Sequence, residues 1–105
     1  MKLLLVYVTF PNLEEARHIG AEMVRRQLAA CVNLCPSVTS IYRWKGEVES
    51  SEEVLAVFKT SRACFPLLEK TLKEMHSYEV PEVVGVEILE GSREYLQWIS
   101  SQLSS

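Results

Sequence analysis

Aspartate is absent from this 105-residue chain: all 14 of its acidic residues are glutamate. That absence removes several chemistries. A helix-loop-helix calcium site needs aspartate at its early loop positions. A serine–histidine–acid triad would have to be built with glutamate. Glycine is scarce, with 4 residues at Gly20, Gly46, Gly85 and Gly91, and they never cluster. Neither G-x-G-x-x-G nor G-x-x-x-x-G-K-[ST] occurs, so no glycine-rich loop cradles a phosphate. Long apolar runs are missing as well. The opening MKLLLVYVTFPN imitates a signal peptide, but Thr9 breaks the run and no small-residue cleavage site follows. A spanning helix would need about 20 apolar residues. Basic excess is lacking too: the net charge is −3 and the sequence pI is about 5.4. A nucleic-acid footprint is therefore not expected, and an anionic membrane would repel the chain weakly. The 3 cysteines leave one without a partner in a monomer. These features together predict a soluble, cytoplasmic, reduced protein.

The length predicts one domain over residues 1–105. Lys2 to Phe10 is apolar at alternating positions of both parities, as in a central strand covered on both sides. Pro11-Asn12 breaks it, and Asn12 with Glu15 three residues on resembles a capping box. A helical period follows from Leu13 to about Ala29, with Leu13, Ala16, Ile19, Gly20, Met23, Gln27 and Leu28 on one stripe. Strand character returns from Cys31 to Trp44, with a break at Pro36-Ser37. Lys45-Gly46 makes a two-residue turn, and the chain returns through Glu47 to Thr60. The outer half of this hairpin is too polar for a core, so the arm either extends into water or lies on a partner. Thr60-Ser61 offer caps to a second helix that ends near His76. A strand from Val83 to Leu89 follows. Gly91-Ser92 then opens a short third helix with Tyr95, Trp98 and Ile99 inward. The order predicts an α+β fold: a ferredoxin-like βαββαβ sandwich with a long β2–β3 hairpin and an extra C-terminal helix. The helices cover one face of the sheet. The other face, carrying Leu3, Leu5 and Tyr7 or their alternates, stays open and predicts self-association.

Chemically capable side chains concentrate in Met75-His76-Ser77-Tyr78-Glu79-Val80-Pro81-Glu82. As local structure, this is the junction of a helix and a strand. A histidine there meets the negative end of the helix dipole. As a site, His76 and its glutamate neighbours would form one wall of a cleft that a partner chain completes. Elsewhere the signals are weaker. Glu14, His18 and Glu22 share a helical face, but Arg17, Arg25 and Arg26 make it an ion-paired one. Cys31 and Cys35 would lie about 13 Å apart on a strand, too far to share a metal. With Cys64 they read as small apolar residues.

Five blocks together carry a family resemblance: LAACVN (residues 28–33), TSIYRWKGE (39–47), KT (59–60), HSYEVPE (76–82) and GSREYLQWI (91–99). In order and separation they resemble the CutA family of divalent-cation tolerance proteins. The resemblance implies a tight homotrimer in which the hairpin arms, through Tyr42 and Trp44, reach neighbouring subunits. It implies a role in the response to metal ions; an enzyme acting in the same cleft is not expected, because no obvious nucleophile–base pair is present. The implied ligand is copper or another divalent cation, held by His76. Some members have a cysteine and a second histidine where this chain has Val8 and Met75. An architecture similar to PII signalling proteins is implied as well. The alternative function is then a PII-like module taking a small ligand or partner protein between subunits, in a cleft lined by Trp44, Lys59, Tyr78 and Glu82.

Overall fold

The structure, a computed structural model, describes residues 1–104. Its elements run β1 (Leu3–Phe10), α1 (Leu13–Arg25), β2 (Cys31–Trp44), β3 (Glu47–Ser61), α2 (Phe65–Met75), β4 (Val83–Glu87) and α3 (Arg93–Ser101). The strands form one four-stranded sheet in the order β2-β3-β1-β4, and every neighbouring pair is antiparallel. This is the α+β, ferredoxin-like arrangement expected from the element order.

β1 is central, as its two-sided apolar pattern requires. Leu4, Val6, Val8 and Phe10 face the helices and are buried with Val54, Ala56 and Phe58 of β3. Ala16, Ile19 and Met23 of α1 and Leu68 and Leu72 of α2 close that core. The opposite face follows from the ladder register. Leu5 pairs with Lys59 and Val86, Tyr7 with Val57 and Val84, and Thr9 with Leu55. Because directly paired residues share a face, Leu5, Tyr7, Leu55, Val57, Val84 and Val86 form one apolar surface without a helical layer. Only its corner is covered, where Ile99 of α3 packs with Leu3 and Ala30.

The helix boundaries follow local chemistry, with two departures from expectation. Asn12 caps α1, its side chain accepting from the Glu15 N–H at 2.8 Å. The helix stops at Arg25, earlier than the apolar stripe suggested. Gln27 takes a left-handed φ of 60°. The Gln27 N–H donates to the Val24 carbonyl and the Leu28 N–H to the Met23 carbonyl. Those two bonds define a Schellman stop, with Gln27 where glycine is usual, and they swing Leu28 back onto Met23 in the core. At the second helix, Thr60 is not a cap: its hydroxyl donates to the buried Leu28 carbonyl at 2.6 Å. Pro66 falls in the first turn, where its missing N–H breaks no helical bond.

The hairpin turn is Lys45-Gly46, at φ 51° and 82°, the paired positive values of a type I′ turn. One extra residue between Cys35 and Val38 shifts the register of β2 against β3. This bulge reverses the alternation. Beyond it Tyr42 and Trp44 pair with Glu49 and Glu47, on the face of Leu55 and Val57. The open apolar surface therefore continues onto the arm.

Two expectations about the C-terminal region need correction. β4 ends at Glu87 rather than Leu89. Tyr95 and Trp98 are exposed on the protomer, where their rings stack on each other at 5.6 Å. Only Ile99 of the expected trio is buried, because α3 lies over a corner of the sheet and turns its aromatic pair outward.

Phe58 sits on β3 at the middle of the helix-side core with no exposure. Phe58→Ala is expected to destabilise the fold by about 3–5 kcal/mol, read as a lower guanidinium midpoint with an unchanged slope.

Candidate functional site

The segment after α2 is pinned at three places, each to a different element. His76 ends the helix with an extended backbone, and its N–H still donates to the Leu72 carbonyl. The imidazole turns inward and its side chain is fully buried. The ring stacks on Phe10 at 4.7 Å with the planes 12° apart. Nε2 lies 2.7 Å from the Thr9 carbonyl oxygen. Nδ1 accepts from the Tyr78 N–H at 3.0 Å. Since a carbonyl can only accept, Nε2 carries the proton and Nδ1 is the lone-pair nitrogen. Both nitrogens are thus in use.

Glu15 is the second anchor. Its carboxylate accepts the Ser77 N–H at 3.0 Å and stands 3.6 Å from His76 Nδ1. A capping box would have turned this carboxylate back to the start of α1; here it reaches across to the loop instead. Tyr78 is the third anchor. Its hydroxyl donates to Glu53 on β3 at 2.7 Å, and its ring lies 4.8 Å from that of His76. Burial, then the hydrogen bond and charge of Glu53, push the phenol well above the ordinary tyrosine range.

The other expected residues lie apart from this cluster. Glu82 is exposed four positions beyond Tyr78, just before β4. Lys59 is half-buried on the open face and donates to the Asn33 side chain. From Glu53 to Lys59 β3 runs about 20 Å, and from Glu53 to the partner of Trp44 about as far the other way, at about 3.3 Å per residue. One protomer therefore does not bring Trp44, Lys59 and Tyr78 together. Tyr42 and Trp44 stand exposed on the arm. On α1, Glu22 is held by Arg26 and Arg25, and the Arg26 guanidinium above all lowers its pKa. This is the ion-paired face expected there. Glu15 and Glu53 escaped sequence reasoning: nothing near either residue in the chain signals a partner in the loop.

As it stands, the protomer does not fit a metal at His76. The imidazole has no free lone pair and no exposure. Val8 lies in the hydrophobic core and the half-buried Met75 packs against it. Among the described residues no group of three or more His, Cys, Asp or Glu is placed to hold a metal ion. The free thiols are dispersed, with Cys31 near the Tyr95 hydroxyl at 3.6 Å and Cys64 buried.

The fold and the pinned loop define a two-layer α+β protein whose landmarks lie on one sheet face, one arm and one helix–strand junction. Comparison with known proteins gives the family. The sequence profile of the CutA1 divalent ion tolerance protein matches residues 4–102. The divalent-cation tolerance protein CutA of Thermus thermophilus is 49% identical over 94 residues, covering 90% of this chain and 91% of that one. Human protein CutA is 44% identical over 93 residues, and the match spans 89% of this chain but only 52% of the human protein. Among solved structures, the Thermus thermophilus protein superposes with a TM-score of 0.94 at 45% identity, covering 97% and 99% of the two chains. CutA1 from Oryza sativa gives 0.96 at 35% identity, covering 99% and 95%. The chain belongs to the CutA1 divalent ion tolerance family.

Two outcomes follow from the pinned loop. His76→Ala removes the ring stacked on Phe10 and leaves the Tyr78 N–H and Thr9 carbonyl without their partner. It is expected to cost about 3 kcal/mol of stability, measured by denaturant unfolding. In an alkaline titration followed by phenolate absorbance, Tyr78 and Tyr95 are expected to ionise late, the latter raised by its Cys31 contact, and Tyr78→Phe should remove the latest step. The linkage has a definite sign. Because the folded pKa lies above the unfolded one, the contribution is fully present below about pH 10, the unfolded tyrosine value. It is lost as pH rises through the folded value.

Proposed function

We propose that this protein works as a homotrimer in the cytoplasmic response to divalent cations, without catalysing a reaction. The observation that carries the reading is the uncovered apolar face. Leu5, Tyr7, Leu55, Val57, Val84 and Val86 lie together on a sheet with helices on one side only. The surface runs on through the bulge to Tyr42 and Trp44, 42% and 58% exposed. A small domain gains most by burying such a face against copies of itself. The aromatic pair Tyr95–Trp98 at its margin adds to the area available.

The cation role is supported by family membership and by the name that the Thermus thermophilus relative carries. Copper is the first ion to test. Trp44, Lys59 and Tyr78 are separated in one protomer, so a cleft lined by them and by Glu82 requires residues of more than one subunit. Nothing in the protomer favours the PII-like alternative over the cation role. The compartment is proposed from the sequence alone: no helix among the described residues is long and apolar enough to cross a membrane, and relatives include a chloroplast protein.

Sedimentation at micromolar concentration is expected to give one species near three times the 12.0 kDa chain mass. Its unfolding midpoint should rise with protein concentration, because dissociation is linked to unfolding. A stable monomer would remove the basis of the reading. Calorimetry of the metal-free trimer with Cu²⁺ and Zn²⁺ tests the cation role. A stoichiometric heat is expected, and its persistence in His76→Gln is expected from the saturated imidazole. Absence of any heat with either ion counts against cation binding.

A further inference from the structure

The loop between α2 and β4 touches the hairpin arm through a polar contact that the core does not require. Tyr78 is reached from below by His76, whose ring is itself fixed to Phe10 and to the Thr9 carbonyl at the end of β1. From the side, Glu15 holds the neighbouring Ser77 N–H. The Tyr78 hydroxyl then spans outward to Glu53, on the arm side of Val54. Val54 is the last residue of β3 that pairs with β1. Beyond it, β3 continues with only β2 as a neighbour, and the outer segment is exposed on nearly every residue. A two-stranded ribbon is by itself only marginally stable. Glu53 also faces Val38 across the ladder, immediately after the bulge where the β2 register shifts. The neighbouring Glu52 ties the same region together, accepting from Ser37 at 3.1 Å and Thr39 at 2.8 Å.

We propose that the Tyr78–Glu53 hydrogen bond is a positioning contact that couples the Ser77–Glu82 loop to the hairpin arm, so that whatever seats on the loop also sets the direction of the arm. At the loop end, Glu15 and His76 hold the successive N–H groups of Ser77 and Tyr78, on the N-terminal side of the Tyr78 ring. The arm end is the compliant one, since Glu53 stands where the sheet narrows from three strands to two. A bond to an ionised acceptor is stronger than a neutral one, which lets a single contact hold the base of the ribbon. Glu79, Val80 and Glu82 are exposed on the outer side of the loop, where a ligand or a neighbouring chain can reach them. The coupling itself needs only one protomer. Its consequence for assembly rests on the reading of the arm as a subunit contact.

Amide hydrogen exchange on the full chain tests this with Tyr78→Phe, Glu53→Ala and the double variant. Tyr78→Phe keeps the ring against His76, and amides of β1 and β3 in the core report whether each variant is folded. Each single change is expected to speed exchange by roughly tenfold, the scale of one charge-assisted hydrogen bond. The increase should appear at both places: the loop amides of Ser77 and Tyr78, and the arm amides flanking Glu53. The double variant should be no faster than either single. Glu53→Gln keeps an acceptor in place and should restore most of the protection at both segments. The proposal is overturned if each change acts only on its own segment, if the two effects multiply in the double variant, or if Glu53→Gln fails to restore the loop. Sedimentation of the same variants keeps this result separate from the oligomeric state: coupled exchange in a monomer would leave the contact standing and remove only the trimer.

Discussion

The constraint on which this structure depends is an imbalance in β1. Its residues are apolar on both faces, yet only one layer of helices is available to cover them. Val6, Val8 and Phe10 are fully buried beneath α1 and α2, whereas Leu5 and Tyr7 on the alternate positions have only α3 at one corner of their face. Strands cannot rotate to hide both sets, because successive side chains point to opposite sides of the sheet. One face of the sheet is therefore left without a covering layer in the protomer. The exposure of the arm, the outward pair Tyr95–Trp98 and the apolar ridge through Val57 and Val84 all express that one deficit.

The helix–strand junction solves a different problem. Leaving α2, the chain must cross the end of β1 to enter β4 on its far side. A buried imidazole does this by meeting a strand carbonyl with one nitrogen and a loop N–H with the other. Each is a group that would otherwise lie unsatisfied at the edge of the core. The neutral tautomer is the only one that can do both at once. A residue that the family resemblance offered as a metal ligand thus acts in the protomer as a structural clasp. Ligation would cost the loop its hold on Tyr78, and Val8 and Met75 replace potential ligands with core packing.

The family relationship fits this division of labour. Close superposition with the Thermus thermophilus and Oryza sativa structures at 45% and 35% identity indicates that the sheet, the arm and the junction form a common frame. The chain spans about half of the human relative's length, so the activity of that longer protein is not transferable as a whole. In this chain the frame is least covered on the arm and the loop.

Sequence by itself determined the features whose cause lies within a few residues. Apolar residues at positions of both parities marked β1 as central, Lys45-Gly46 marked the arm's turn, Asn12 and Ser92 marked helix starts, and the five separated blocks marked the family. In each case the signal is a local period or a backbone bond made inside one turn. Tertiary structure alone decided the partners of the loop. Glu15 meets Ser77 across 62 positions, Thr9 meets His76 across 67 and Glu53 meets Tyr78 across 25. Such pairs depend on how the sheet brings strand ends beside a helix terminus, and a glutamate destined for a loop looks like any solvated glutamate. The stop at Gln27 belongs to the same class. Its left-handed backbone is stabilised by carrying Leu28 into the core against Met23, a gain that exists only once the core has formed.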